Sequence, residues 1–251
     1  MIIIKNSEQI AMMKTAGRIT AEALLVAKDA IRPGVSTKEI DTKIHDFIRK
    51  CGAVPSFLGY GGFPGSACIS INNEVIHGIP SKKVIIHEGD IVKIDVGARY
   101  CGYNGDSART FPVDNVSDEA LKLISVTEMS FYEGIKAAKP GNRVGDIGSA
   151  IENFVISNGL SIVKQYVGHG VGKELHEEPE VPNFGRSGHG PRLYSGMTLA
   201  IEPMVNVGTE DVRVLKDGWT VTTADGKLSA HYENSIAITD TDPIILTECE
   251  G

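Results

Sequence analysis

Four acidic residues stand in places where an unpaired charge is expensive. Asp95 lies in Ile91-Val-Lys-Ile94-Asp95-Val96 and Glu202 in Leu199-Ala-Ile201-Glu202-Pro-Met-Val205. Both stretches are rich in β-branched and aliphatic residues and read as strands. A buried carboxylate in such a stretch costs several kcal/mol or more unless it meets a cation. Either acid alone could face solvent, because alternation leaves every second strand residue outside. Each, however, is followed by a returning segment with a further acid, Asp106 in Asn104-Gly105-Asp106-Ser107 and Glu233 in Tyr232-Glu233-Asn234. If all four converge, about four units of positive charge are needed to keep them ionised. Arg109 cannot provide that alone, whereas two divalent ions can. His169, set between glycines in Gly168-His169-Gly170-Val-Gly172, adds an imidazole free to approach closely, and His176 follows seven residues later. Carboxylate oxygens with one imidazole suit Mn, Fe(II), Co or Zn rather than a thiolate-seeking ion.

The elements around these residues occur twice. Ser36-Thr-Lys-Glu39 is a capping box, Ile40, Ile44, Phe47 and Ile48 form one helical face, and Gly52 is the stop. Ile147, Ile151, Phe154 and Val155 repeat the spacing before Gly159, and Pro33-Gly34 and Pro140-Gly141 precede the two helices. The offset is 107 residues throughout, and it carries on into the strands, joining Gly89 to Gly196 and Ile94 to Ile201. It therefore joins Asp95 to Glu202, so that a two-fold axis between the halves would bring both acids to one centre. The correspondence ends after Glu202, where turn signals at Asp217-Gly218 and Asp225-Gly226 mark extra excursions before Glu233. Each half also opens with a long helix, about Ser7–Ala30 and Ser117–Ala138. The order helix, helix, strands predicts an α+β fold of antiparallel sheets covered by helices. The expectation is one catalytic domain, residues 1–251, with pseudo-symmetric halves of about 1–115 and 116–251.

Composition narrows the function classes. A net charge of −7 argues against a DNA-binding role and leaves room only for a local, transient ribosome contact. Cys51, Cys68, Cys101 and Cys249 show no CxxC spacing, so neither a zinc knuckle nor a disulfide framework is indicated. No apolar run approaches the roughly 20 residues of a membrane helix. Ile2-Ile-Ile4 is too short for a signal segment and reads as a short strand. The chain is thus expected in the cytoplasm, as a monomer. Gly59-Tyr-Gly61-Gly62-Phe-Pro-Gly65 lacks the Lys-Ser/Thr ending of a phosphate loop and reads as a pocket-lining loop.

Asp95 and Asp106 eleven residues apart, Gly-His169-Gly-Val-Gly, Ile-Glu202-Pro-Met-Val and Glu233 resemble the five-ligand set of the methionine aminopeptidases with the pita-bread fold. Further matches are Asn72-Asn-Glu74-Val-Ile-His77-Gly78-Ile-Pro80, His176-Glu-Glu-Pro179 and Asp217-Gly-Trp219-Thr-Val. The length resembles bacterial type I enzymes, without the insertion of type II or the N-terminal extension of eukaryotic type I. The resemblance implies hydrolysis of the N-terminal methionine from nascent chains with a small second residue, by water activated between two metal ions. It places Asp95 on one ion, His169 and Glu202 on the other, and Asp106 and Glu233 between them. It implies Glu202 as general base, His176 for the developing oxyanion, and His77 at the scissile amide or the second residue. It also implies a methionine slot of Phe57, Tyr60, Phe63, Cys68, Leu175 and Trp219. Phe57, Phe63 and Leu175 depart there from the commonest pattern, keeping the slot apolar while changing its shape. A monovalent-cation site built from the carbonyls of Asn72, Glu74 and Ser229 is a further implication. A proline-specific dipeptidase on the same fold is the rival reading, and a non-catalytic binding protein is the other.

Overall fold

The structure, a computed structural model, describes residues 1–249. Among them are four α-helices and fifteen mostly short strands, and every strand pair is antiparallel. Helix α1 spans Ser7–Ala30 and α2 spans Thr37–Lys50. Helix α3 spans Asp118–Ile135, three residues shorter at its end than the spacing predicts, and α4 spans Val144–Ser157. Helices α2 and α4 are therefore separated by 107 residues at both ends, as are the short strands Val54–Pro55 and Ser161–Ile162 that follow them.

Local chemistry sets these boundaries. Ser36 caps α2 by accepting from the Glu39 amide, while the Glu39 carboxylate accepts from the Ser36 amide at 3.0 Å. Gly52 and Gly159 end α2 and α4 at φ of 74° and 76°, a left-handed conformation that a side chain would strain.

Each helical pair covers its own sheet. Ile40, Ile44 and Ile48 pack with Ile69, Val92 and Ile94 in one core, and Ile147, Ile151 and Val155 pack with Leu199, Ile201 and Val205 in the other. Each such side chain contributes about 1.5–3 kcal/mol by leaving water. The first sheet is built on the hairpin of Ile91–Tyr100 and Tyr103–Pro112, and the second on Thr198–Ile201 between Gly168–Gly170 and Asn234–Ala237. The sheets meet edge to edge: Glu233 N donates to Ala108 O at 2.9 Å, and Ser235 Oγ donates to Asp106 O at 2.9 Å. That seam brings the acidic residues of both halves together. Helix α1 lies on the hairpin, where Gly17 and Gly105 touch so closely that a Cβ on Gly105 would stand 2.6 Å from Gly17 Cα.

The N-terminal isoleucines differ from expectation. Residues 1–6 form no strand; Lys5 N donates to Gly196 O, and Ile2 packs against the second core. Among the described residues no helix is long and apolar enough to cross a membrane.

Candidate metal centre

Alternation along Ile91–Tyr100 places Val92, Ile94, Val96 and Ala98 in the first core. Lys93, Asp95 and Gly97 consequently take the opposite face, toward the second half. Asp106 returns on the partner strand, paired with Gly97. Glu202 follows directly on Thr198–Ile201, and Glu233 sits between Ser229–His231 and Asn234–Ala237. His169 occupies the middle of Gly168–Gly170, next to Ala200 across the ladder. A Cβ at Gly168 or Gly170 would lie 2.3 Å from a neighbouring carbonyl, so only glycine lets this strand approach.

All five sequence-predicted ligands meet. Asp106, His169 and Glu233 each offer a ligand atom within 4.8 Å of the others. Glu202 Oε1 lies 3.6 Å from His169 Nε2, and Asp106 Oδ2 lies 3.8 Å from the same nitrogen. Asp95 stands beside this trio, close enough for its charge to raise the pKa of Asp106, Glu202 and Glu233.

Burial pushes Asp95 up to about 8. Asp106, Glu202 and Glu233 are also held well above the usual carboxylate range, first through burial and then through repulsion within the cluster. Burial, aided by the charge of His176, draws His169 down to about 3, so its imidazole is neutral at pH 7. Its Nδ1 lies 2.8 Å from Gly170 O, which fixes the Nδ1–H tautomer and leaves the Nε2 lone pair facing the acids. Arg109 forms no ion pair with the carboxylates of the cluster: its guanidinium donates to the main-chain oxygen of Glu233 at 2.5 Å and to Asn234 Oδ1 at 2.8 Å. Asp95 Oδ1, Asp106 Oδ1 and Glu233 Oε1 are buried without a hydrogen-bond partner. Unpaired buried oxygens, four clustered acids and a neutral imidazole form a donor set that fits divalent cations.

The acids open onto a cavity of about 300 Å³. Every residue that the sequence assigns to substrate lines it: Phe57, Tyr60, Phe63, Cys68, His77, Leu175, His176 and Trp219. Phe57, Phe63, Cys68 and Leu175 pack into one apolar cluster, with Trp219 edge-on to Phe63 at 5.2 Å. Gly97 makes room for Phe57, whose Cε1 would be 2.9 Å from a Cβ there. Asp217 fixes the turn before Trp219 by accepting from the Trp219 and Thr220 amides, each at 2.9 Å. His176 Nδ1 is 2.7 Å from the Tyr60 hydroxyl, and its ring meets that of His169 at 4.1 Å. His77 holds φ of 59°, a strained value for a non-glycine residue, between Tyr166 and Trp219. Burial and His176 draw it down to about 4.

Sequence reasoning missed some of the lining. Ile76, Tyr166 and Val167 also face the cavity. His231 is fully buried with both ring nitrogens unpartnered, and its Nε2 lies 3.7 Å from Glu202 Oε2. Its position immediately before Tyr232-Glu233 was the available signal. The expected carbonyl site for a monovalent cation does not fit as implied: Asn72 O and Ser229 O both accept from the Lys93 ammonium, at 2.6 and 3.0 Å.

The sequence profile of metallopeptidase family M24 matches residues 11–240. The chain is 56% identical over 250 residues to the methionine aminopeptidase of Clostridium acetobutylicum, covering all of both chains. It is 52% identical over 247 residues to methionine aminopeptidase 1 of Bacillus subtilis, covering 98% of this chain and 99% of that one. The crystal structure of a methionine aminopeptidase from Thermotoga maritima superposes with a TM-score of 0.97 at 44% identity, covering 99% of this chain and 100% of that one.

Proposed function

The chain belongs to the methionine aminopeptidases of metallopeptidase family M24, and from that premise we propose that it removes the N-terminal methionine from nascent chains whose second residue is small. The observation that carries this reading is the junction of a buried acid cluster, its oxygens unpaired, with an apolar slot at one end of the same cavity. A charged amino terminus and an unbranched thioether side chain match those two surroundings.

Asp95, Asp106, His169, Glu202 and Glu233 would together hold two divalent ions. Co, Mn, Fe(II) and Zn are the candidate ions. When bound, such ions supply Lewis acidity that acidifies water and polarises the first peptide carbonyl. Glu202, which lines the cavity, would take a proton from the attacking water. His176 Nδ1 lies 2.7 Å from the Tyr60 hydroxyl; in the tautomer in which that hydroxyl donates, the ring proton is on Nε2 and would donate to the developing oxyanion. His77, neutral and clamped between two aromatic rings, would contact the scissile amide or the second residue. Phe57, Phe63, Cys68, Leu175 and Trp219 would exclude water from the methionine side chain.

The proposal includes a cytoplasmic monomer that meets its substrates at the ribosome only transiently. Free methionine released from Met-Ala-Ser and from Met-Leu-Ser, by protein purified without oxygen and analysed for metal, tests the reading. Preference for Met-Ala-Ser with about two ions per chain supports it; indifference to the second residue refutes the substrate assignment.

A further inference from the structure

Lys93 is 1% exposed, and its ammonium is spent on main-chain carbonyls. It donates to Asn72 O at 2.6 Å and to Ser229 O at 3.0 Å. Both acceptors are held in place by other bonds. Asn72 takes a left-handed φ of 53°, with its side chain donating to Asp90 Oδ1 at 2.8 Å and accepting from Ile91 N at 3.0 Å. Its carbonyl is thereby turned inward, where it also accepts from Ser229 N at 3.1 Å. Ser229 is anchored in its strand against Val205 and Asn206, and its hydroxyl donates to Val205 O at 3.2 Å.

One charge thus ties three segments that meet at the centre. Lys93 shares a strand face with Asp95, Asn72 begins the turn that leads to His77, and Ser229 opens the strand that leads to Glu233. Converging carbonyl oxygens repel one another unless a cation lies between them. The two carbonyl oxygens hold the ammonium by direct hydrogen bonds, which favour its charged form. The charge belongs to one half only, since the position 107 residues later is Ala200.

We propose that the Lys93 ammonium is a covalently attached substitute for a monovalent cation, so that this chain binds no sodium or potassium at the Asn72, Glu74 and Ser229 carbonyls. A tethered cation loses little further entropy in reaching its site and is present at any salt concentration. The inference concerns the scaffold under the metal centre and stands whether or not the peptidase reading does.

Thermal midpoints of the full chain in sodium, potassium and choline chloride at equal ionic strength test it, together with sodium-23 NMR line widths. Wild type should melt alike in all three salts and leave the sodium line sharp. Lys93→Ala opens space for a free ion: its midpoint should fall in choline chloride. It should recover by roughly 5–10 °C once sodium or potassium exceeds its Kd about 100-fold. That variant should also broaden the sodium line, reversed by potassium. Lys93→Met fills the space without charge and should melt low in every salt. A wild-type midpoint that rises specifically with sodium or potassium, or a broadened wild-type sodium line, overturns the proposal. So does a Lys93→Ala protein that gains nothing from either ion. The wild-type arms decide the matter even if a variant fails to fold.

Discussion

Replacing Asp95 with asparagine isolates the cost of charge in the acid cluster. Asparagine keeps the shape and stays neutral, so it imitates the protonated acid. In metal-stripped wild type, burial lifts Asp95 from 3.8 to about 8. The folded chain then keeps a proton that the unfolded chain releases above 3.8, and stability falls as pH rises through that window. Each pH unit costs about 1.4 kcal/mol, so stripped wild type should lose roughly 4 kcal/mol against stripped Asp95→Asn between pH 5 and pH 8. His77, His169 and His231, drawn down to about 4, 3 and 3, act in the opposite sense below pH 6.5. Both proteins carry these groups, so they cancel to first order, while the Asp95 charge that helps raise Asp106, Glu202 and Glu233 is missing from the variant and adds to the difference in the same direction. At about 2–4 °C per kcal/mol for a chain of this size, the midpoints should diverge by roughly 8–16 °C. Scanning calorimetry after chelation and dialysis reads this directly. A difference that stays constant within about 1 °C from pH 5 to pH 8 would refute the buried-acid reasoning.

Leu175→Ala removes apolar surface from the methionine slot at up to about 2 kcal/mol, so KM for Met-Ala-Ser should rise roughly 10- to 30-fold with kcat little changed; an unchanged KM would remove Leu175 from the slot. Tyr60→Phe deletes the hydroxyl that orients His176 and should lower kcat about tenfold at nearly constant KM. Equal kcat would show the hydroxyl is idle. Gly105→Ala drives a Cβ against Gly17 and should cost about 1–3 kcal/mol or more, lowering the midpoint by roughly 3–10 °C. An unchanged midpoint would mean that α1 can retreat from the hairpin.

Helices α2 and α4 were legible because the preceding Pro-Gly, the apolar face and the glycine stop recur at one offset, and Ser36-Thr-Lys-Glu39 adds a capping box to α2. The acids were legible for the opposite reason: a carboxylate contradicts the apolar strand that carries it, and such conflicts mark function. Ile2-Ile-Ile4 was misread because a short apolar run looks the same whether it pairs in a sheet or lies in a groove. Tyr166 and His231 escaped because a strand-like neighbourhood accounts for an aromatic or a lone imidazole without a site. Lys93 sat in plain view two residues before Asp95. Its role emerged only when the left-handed turn at Asn72 brought a carbonyl from one segment and Ser229 brought one from another. Contacts of that kind depend on tertiary geometry, which local spacing does not encode.

The central claim is that the acid cluster and the apolar slot act together on an N-terminal methionine. The most direct measurement is steady-state methionine release from Met-Ala-Ser, beside cleavage of an Xaa-Pro peptide, by stripped, reloaded and Glu202→Gln protein. Release should vanish on stripping, return with Mn, Co or Fe(II), exceed Xaa-Pro cleavage, and fall by about 100-fold or more in the variant. Reloaded protein that releases no methionine, that prefers Xaa-Pro, or that works equally well with Glu202→Gln would contradict the account.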